Sequence, residues 1–364
     1  MNTQDYHTPT NSAIDLLTRL IAIPSLSQQE NITADCLEVF FAEHGIPTQR
    51  RGNNIFAVNK FFDKKKPTIL LNSHHDTVPP NESYTRDPFK PLIDDGKIYG
   101  LGSTDAGASL ACLVNAFVHL YEKSSSLYNL VIAASAEEEI SGKNGIEMLF
   151  TDPFFKAFFT MPGSFAVVGE PTRLQLAIAE KGLLVVDCAA FGSAGHAARN
   201  EGENAIYNAM EAINWIKNYQ FPKVSVLLGA VNMSVTSIST ENKVHNVTPA
   251  SCHFVIDIRL NELYSHEEVL EIIRKNTGVK ISARSTRLKA SAISPDHPVV
   301  LAGLKLGAST FGSPTMSDQA LIPLPSLKCG PGYSGQSHQA DEFILLDDIN
   351  NGVNFYISLL EHLL

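Results

Sequence analysis

The positions of apolar residues along the first half of the chain change between helical spacing and short continuous runs. Leu16, Leu17 and Leu20 recur at helical spacing, as do the apolar residues between Ala34 and Phe41, so the chain is predicted to open with two helices. Four continuous apolar runs follow, which predict a helix at 108–121 and strands at 68–73, 129–134 and 165–169. Buried strands separated by helices indicate a mainly parallel α/β sheet.

Beyond about residue 173 the pattern changes to shorter elements of both kinds. The predicted order is a strand at 183–191, a helix at 203–219, one long or two short strands within 224–239, a strand at 252–260, a helix at 265–277 and a strand at 280–285. This β-α-β-β-α-β order is typical of a ferredoxin-like α+β module. The remaining chain is predicted to hold a helix at 299–306, a Gly/Pro-rich loop at 328–335 and a closing helix at 347–364.

These elements predict two domains, in line with a length of 364 residues. The larger is a discontinuous α/β domain formed by residues 1–174 and 291–364, and the smaller is an α+β domain inserted at 175–290.

Composition and charge narrow the range of partners. Hydrophobic residues make up 44% of the chain and charged residues 18%, a balance typical of a folded globular protein rather than a disordered one. The formal net charge of −10 repels phosphate backbones and argues against nucleic-acid or anionic-membrane binding. We therefore expect small-molecule or protein partners.

The cysteines and the N-terminal segment favour a reducing compartment. The five cysteines are widely spaced and form no CxxC motif, which argues against a disulfide framework or a thiolate zinc site. Residues 1–6 have neither a basic start nor an apolar core, and no later apolar run approaches the roughly 18 residues that would span a bilayer. We expect a cytoplasmic protein that does not enter a membrane.

The first strand at 68–73 runs directly into two imidazoles and a carboxylate, His74, His75 and Asp76. Ligands bind at the carboxyl ends of strands in an open α/β sheet. His74 and Asp76 would face the same side, so that His74 could bind a metal while Asp76 fixes its orientation, and His75 would point away. Taken alone, this tripeptide is more often a hydrogen-bonded surface turn.

Further acidic and imidazole groups follow the other strands and loops. Asp105 ends a glycine-punctuated loop before a helix, where it is either a helix N-cap or a metal ligand. The acidic run 137–139 and Glu170 each follow a predicted strand, and His338 lies in the glycine-rich loop. An acidic run is usually solvated and a loop histidine usually exposed. Together, however, these residues form a nitrogen and oxygen ligand field that suits Zn²⁺, Co²⁺ or Mn²⁺, and their number fits two metals that share one carboxylate.

Seven motifs in a fixed order resemble one family. They are HHDTVPP (74–80), GLGSTDAG (100–107), AEEEISG (136–142), VVGEPT (167–172), GSAGH (192–196), NVTP (246–249) and SHQADEF (337–343). In this order they resemble the acetylornithine deacetylase / succinyl-diaminopimelate desuccinylase group of the M20 dizinc metallopeptidases. The resemblance spans nearly the whole chain.

The resemblance implies a site residue by residue. For two Zn²⁺ ions it implies that His74 and Glu170 hold one, that Glu139 and His338 hold the other, and that Asp105 bridges both. The catalytic residues that it implies are Glu138 as general base, Asp76 behind the first histidine, and His196, which polarises the scissile carbonyl from the partner subunit of a dimer. The substrate-binding residues that it implies are Asn246, Arg259, Thr315 and Ser317, with Asp318 in the same loop.

The chain departs from the pattern of these relatives in two places. Relatives usually carry Met-Lys-Gly after the bridging acid, whereas this chain has Ala106, Gly107 and Ala108, so that a basic side chain is absent. Glu137 stands where relatives often have Asp, which leaves a one-residue ambiguity between base and ligand. Alignment through Ala136 favours Glu138 as base and Glu139 as ligand.

The activity that the resemblance implies is dizinc-dependent hydrolysis of the amide bond of an N-acyl amino acid. N-acetyl- or N-succinyl-ornithine or -citrulline, in arginine biosynthesis, are the substrates it favours. A dipeptidase or tripeptidase, a succinyl-diaminopimelate desuccinylase, and a non-catalytic metal- or amino-acid-binding protein are the alternatives. The resemblance also implies a homodimer through the inserted domain, which would close over the larger domain as a lid.

Overall fold

The computed structural model describes residues 8–124 and 126–364, so the expectation drawn from residues 1–6 lies outside the described residues. The chain forms two compact units. The first comprises the described residues up to Ile178 together with Ala292–Phe311 and Ser317–Leu364, and the second comprises Ala179–Ser291 and Gly312–Met316.

A mainly parallel sheet forms the centre of the first unit, as the sequence predicts. The strands of this unit are β1 Gln49–Arg51, β2 Asn54–Val58, β3 Thr68–His74, β4 Leu92–Asp94, β5 Lys97–Tyr99, β6 Asn129–Ser135, β7 Phe165–Val168, β8 Leu176–Glu180, which runs on into the second unit, β17 Ser326–Lys328 and β18 Phe343–Leu345. Along the sheet they follow the order β1-β2-β6-β3-β7-β17-β8. β3 is parallel to β6 and β7, and β17 is parallel to β7, so that four neighbouring strands end at the same edge. β4, β5 and β18 form a separate small sheet.

Helices cover the apolar strands of this sheet. They are α1 Pro9–Ile21, α2 Asn31–Glu43, α3 Ala108–Leu120, α4 Ile146–Thr151, α5 Pro153–Lys156, α8 Pro298–Lys305 and α9 Leu346–Glu361. α1 begins where Pro9 follows the Thr8 hydroxyl, which accepts the N–H of Asn11. α3 is buried along nearly its whole length and packs against α1 and α9. Among the described residues, none of the helices is long and apolar enough to cross a membrane.

The second unit has the predicted β-α-β-β-α-β order. Its elements are β9 Gly182–Phe191, β10 Gly195–His196, α6 Ala205–Asn218, β11 Asn232–Ser239, β12 Val247–Thr248, β13 Ser251–Leu260, α7 His266–Thr277 and β14 Lys280–Ala283. The main sheet is antiparallel in the order β11-β13-β9-β14, and β10 pairs with β12. Alternate residues of β9 and β13 are buried and form a core with α6 and α7. Two short strands, β15 Ser291–Ala292 and β16 Thr310–Ser313, lie at the limits of the units along the chain.

Two segments differ from the predicted elements, each for a local reason. The predicted strand pattern at 224–239 is extended only from Asn232, because the Ser225 hydroxyl accepts the N–H groups of Leu227 and Leu228 and closes a turn. The loop predicted at 328–335 begins one residue too early, because the buried Lys328 is the last residue of β17, a strand that the sequence does not predict. Because β17 ends in a lysine and is followed by a Gly/Pro-rich segment, it does not form the apolar run by which a buried strand is predicted.

Candidate metal centre

Three side chains at the carboxyl edge of the central sheet form the first cluster of metal-ligating groups. His74 ends β3, Asp105 lies in the loop before α3, and Glu170 follows β7, and each offers one ligand atom within 4.8 Å of the others. The Nε2 atom of His74 lies 3.4 Å from Asp105 Oδ1 and 4.0 Å from Glu170 Oε1. One imidazole nitrogen and two carboxylates are a donor set that Zn²⁺ and similar divalent cations accept.

A second cluster shares Asp105 with the first. It consists of Asp105, Glu139 and His338, again with ligand atoms within 4.8 Å of one another. His338 Nε2 lies 3.1 Å from Glu139 Oε2 and 3.5 Å from Asp105 Oδ2. Asp105 therefore presents one oxygen to His74 and the other to His338. The donors fit two cations with a shared carboxylate, which is the ligand arrangement that the family resemblance implies.

The loop that carries Asp105 decides two expectations drawn from the sequence, the helix N-cap and the absent basic residue. Asp105 is not the N-cap of α3, because Gly107 holds that position and α3 begins at Ala108. A Cβ atom on Gly107 would lie 2.4 Å from the carbonyl oxygen of Gly102, so the lysine that the family resemblance would place at this position does not fit this backbone. The peptide bond between Asp105 and Ala106 is cis.

Asp76 holds two parts of the site at once. His74 Nδ1 lies 3.0 Å from the carbonyl oxygen of Asp76 and 3.4 Å from its carboxylate, which directs Nε2 toward Asp105. The same carboxylate accepts the main-chain N–H groups of Glu138 and Glu139, at 3.0 and 3.2 Å, and the hydroxyl of Ser27. Burial opposes ionisation, but the hydrogen bond and the charge interaction with His74, together with the hydrogen bond from Ser27, keep the pKa of Asp76 below its usual value.

His75 points away from this cluster, as its position on an extended strand predicts. Its Nδ1 atom contacts the Thr33 hydroxyl at 2.8 Å and its Nε2 atom contacts the carbonyl oxygen of Asn53 at 3.0 Å. Burial lowers the pKa of His75 to about 4, so the ring is neutral. Its role is to connect β3 to the residues beside β2.

The three consecutive glutamates have three different environments. Glu137 turns away from the metal ligands and accepts the main-chain and side-chain N–H groups of Asn144 at 3.2 and 2.8 Å. Glu139 faces His338, and Glu138 Oε2 lies 4.0 Å from His74 Nε2. This geometry places Glu138 and Glu139, but not Glu137, at the candidate centre.

Burial and mutual repulsion alter the ionisation of the site. Burial, with the negative charges of Glu170 and Asp318, raises the pKa of Glu138 well above its usual value, although His74 opposes the shift. Burial and the charge of Asp105 raise the pKa of Glu170 to about 8. The hydrogen bond to Glu139 raises the pKa of His338 to about 9 against the effect of burial. For His74, the hydrogen bonds to Asp105 and Asp76 outweigh burial and raise the pKa well above its usual value.

Asp318 forms a buried hydrogen-bonded group with two residues that the sequence analysis does not connect to it. The Asp318 carboxylate accepts the side-chain N–H of Asn72 at 2.8 Å and the hydroxyl of Ser135 at 2.6 Å. The family resemblance implies Asp318 as a site residue, but it does not imply its two partners. The available signal was polar Asn72 within the otherwise apolar β3, because such a residue needs a partner inside the core.

The predicted substrate-binding residues divide into separate groups. In the second unit, His196 and Asn246 lie on adjoining segments, where the N–H of Ala197 donates to the carbonyl oxygen of Asn246 at 3.1 Å, and both residues are exposed. Arg259 lies near the opposite end of β13. Its guanidinium forms a two-bond ion pair with Asp257, at 2.8 and 3.0 Å.

The remaining two predicted residues make local turn contacts. The Thr315 N–H donates to the hydroxyl of Ser313, and Thr315 is exposed. Ser317 is buried, and its hydroxyl accepts the N–H of Gln319 at the start of the turn that carries Asp318. Ser317 thus has a structural role in holding that turn.

The fold and the two clusters are those of a metal-dependent hydrolase, and comparison with known proteins gives the family. The pattern of the family described as Peptidase family M20/M25/M40 matches residues 70–362, and the chain belongs to this family. The chain is 28% identical over 368 residues to the acetylornithine deacetylase of Proteus mirabilis, covering 91% of both chains. It is 27% identical over 281 residues to the succinyl-diaminopimelate desuccinylase of Rickettsia bellii, covering 71% of this chain and 70% of that one.

A solved structure shares the fold at low sequence identity. The Bacillus subtilis YXEP protein, described as a dinuclear metal binding peptidase from the M20 family, superimposes with a TM-score of 0.73 at 16% identity. The match covers 97% of this chain and 99% of that one. Membership of the family makes this chain a hydrolase of peptide or amide bonds.

Proposed function

We propose that this protein hydrolyses the amide bond of an N-acyl amino acid, with N-acetyl- or N-succinyl-ornithine or -citrulline as substrate. The observation that carries the proposal is the position of the Glu138 carboxyl, which lies 4.0 Å from His74 Nε2 and beside two ligand clusters that share Asp105. A proton carrier beside a pair of cation sites suits metal-dependent amide hydrolysis. The same position argues against a merely metal-binding protein.

The cations are proposed to be two Zn²⁺ ions, for which Co²⁺ or Mn²⁺ could substitute. His74 and Glu170 would hold one ion, Glu139 and His338 would hold the other, and Asp105 would contact both. When bound, the pair supplies Lewis acidity toward the scissile carbonyl and lowers the pKa of the attacking water.

The chain's own residues move the protons. Glu138 takes a proton from the water as its oxygen bonds to the carbonyl carbon, and then gives that proton to the departing amine as the C–N bond breaks. The raised pKa of Glu138 strengthens it as a base toward the proton of the water. Asp76 fixes His74 and the main chain of Glu138, and His196 donates a hydrogen bond to the carbonyl oxygen as it gains charge.

The relatives support N-acyl amino acids as the substrate class. Both named relatives remove an acyl group from an amino-acid amine, acetyl in one and succinyl in the other. The match to the acetylornithine deacetylase, over 91% of both chains, supports acyl-ornithine as a substrate and, with it, the proposed role in arginine biosynthesis. The desuccinylase relative supports succinyl-diaminopimelate as a second candidate, and the B. subtilis protein supports a peptide substrate as a third.

We also propose a homodimer through the second unit, with that unit acting as a lid. His196 and Asn246 lie beyond the Phe191–Ser251 pair, whereas Arg259 pairs with Leu183 at the other end of β9 and β13. At about 3.3 Å per residue these ends are roughly 25 Å apart. One protomer is therefore poorly placed to bring all three residues to one substrate, and His196 of the partner subunit would complete the site.

The state of the cysteines bears on the cellular location. All five cysteines are unpaired. This supports a reducing compartment, and we propose the cytoplasm.

The test is amine release by the protein reconstituted with Zn²⁺ from a matched panel of substrates. The panel contains the N-acetyl and N-succinyl forms of ornithine, citrulline and diaminopimelate, and simple dipeptides. We expect the highest kcat/KM with an acyl-ornithine or acyl-citrulline, and none with the metal-free protein. Faster turnover of acyl-diaminopimelate or of dipeptides would overturn the arginine-biosynthesis proposal, and zinc binding without hydrolysis of any member would overturn the enzymatic one.

A further inference from the structure

A buried carboxylate behind Asp105 has no part in the mechanism above. Glu342 is 1% exposed and accepts three main-chain N–H groups from the loop that carries Asp105. One oxygen accepts the N–H of Thr104 at 2.7 Å and of Asp105 itself at 3.0 Å, and the other accepts the N–H of Gly102 at 3.0 Å. Three hydrogen bonds to one buried carboxyl group fix the loop from behind.

Two further bonds extend this contact on either side. The N–H of Gly100 donates to the carbonyl oxygen of Glu342 at 3.0 Å, and the Thr104 hydroxyl donates to the carbonyl oxygen of Phe343 at 2.6 Å. The loop therefore has its main chain attached to residues 342 and 343 at several points. Movement of Asp105 would require several of these bonds to break together.

The same segment carries a second ligand. Glu342 lies four residues after His338, whose carbonyl oxygen accepts the side-chain N–H of Asn81 at 3.1 Å. Glu342 thus connects the loop of the shared ligand Asp105 with the segment of His338. Both clusters depend on the loop through Asp105, but only one of them depends on His338.

We infer that Glu342 is a positioning residue for Asp105 and sets the affinity of both cation sites. The inference rests on the proposed metal-dependent function. If Glu342 acted only on the segment of His338, its loss would weaken one cation site. Because it acts through Asp105, its loss is expected to weaken both sites. Loss of an outer carboxylate that orients a metal ligand typically costs about 10- to 100-fold in metal affinity.

The neighbouring Asp341 provides a matched control. Its carboxylate also accepts three hydrogen bonds, from the N–H and the hydroxyl of Thr85 and from the N–H of Arg86. These bonds attach the same segment to a loop that carries none of the proposed ligands. Asp341→Asn should therefore cost a similar number of hydrogen bonds without moving Asp105.

The experiment compares Glu342→Gln, Glu342→Ala and Asp341→Asn with the wild-type protein. The Gln variant keeps the shape of the side chain, and the unfolding of each metal-free variant, followed by circular dichroism, establishes that it folds. Stepwise Zn²⁺ affinities are measured by competition with a chromophoric chelator, and the geometry is followed by the visible absorption of the Co²⁺-loaded protein.

We expect Glu342→Gln to weaken both Zn²⁺ steps by about 10-fold or more and to alter the Co²⁺ spectrum, with Asp341→Asn unchanged in both readouts. Wild-type affinities in both Glu342 variants, or a loss confined to one step, would overturn the inference. An equal loss in Asp341→Asn would also overturn it. Absence of Zn²⁺ binding by the wild-type protein would instead contradict the proposed function itself.

Discussion

The Asp76 carboxylate accepts the main-chain N–H of Glu138 at 3.0 Å, so that a residue just beyond the end of one strand fixes a residue just beyond the end of the neighbouring strand. β3 and β6 lie side by side with His74 paired to Ser135, which brings these two strand ends together. Asp76 also contacts the ring of His74. One carboxylate therefore sets the relative positions of a metal ligand and the proposed proton carrier.

Asp76→Asn should disturb both of these positions. In the asparagine variant an NH₂ group replaces one of the two carboxylate oxygens, so that groups which donate to that oxygen lose their acceptor. We therefore expect about 10- to 100-fold weaker Zn²⁺ binding. We also expect a loss of about 1–3 kcal/mol in the free energy of unfolding of the metal-free protein, because buried donors lose their acceptor. Chelator competition and denaturant titration measure the two effects.

Ser27→Ala is the matched control for this substitution. It removes the 2.7 Å hydrogen bond from the Ser27 hydroxyl to the same carboxylate but leaves the carboxylate itself. We expect its Zn²⁺ affinity to stay near that of the wild type. An Asp76→Asn protein with wild-type zinc affinity would contradict the positioning role.

Zn²⁺ binding should release protons at neutral pH. In the metal-free protein the pKa of Glu170 is raised to about 8 and that of His338 to about 9, so both groups hold a proton at pH 7. Each must lose it before it can bind a cation. Zn²⁺ affinity is therefore expected to rise as the pH rises through these two values.

Isothermal titration calorimetry in two buffers of different ionisation enthalpy measures this release. We expect between about one and two protons per protein at pH 7 from these two ligands. His338→Ala should lower the number. A binding enthalpy that is independent of the buffer, with an affinity that is flat in pH, would contradict the assigned protonation.

Mixed dimers test whether the partner subunit supplies His196. His196→Ala and Glu138→Gln should each abolish most activity on their own. If the two groups act in one site from different subunits, random mixing restores one intact site in each mixed dimer, which gives about a quarter of the wild-type activity. Activity that does not recover on mixing, although sedimentation shows mixed dimers, would contradict a shared site.

The sequence predicts the elements that rest on local pattern and misses those that rest on distant contacts. β3, β6 and β7 are continuous apolar runs, so the sequence predicts these strands and the polar residues that follow them. The family resemblance predicts how these polar residues combine into the two ligand clusters. β17 was missed because Lys328 interrupts the apolar pattern. The partners of Asp318 and of Glu342 were missed for another reason, since they lie far away along the chain and carry no local signal.

Glu138 is proposed to carry the proton in a metal-dependent amide hydrolysis, and its substitution by glutamine separates this role from metal binding. The measurement is kcat together with bound metal for Glu138→Gln, on the best substrate of the panel, with Glu137→Gln as the adjacent control that faces Asn144 instead. We predict that Glu138→Gln keeps two metal ions and its KM while kcat falls by about 10²- to 10⁴-fold, and that Glu137→Gln keeps its kcat. A fully metal-loaded Glu138→Gln protein with near wild-type kcat would contradict the account.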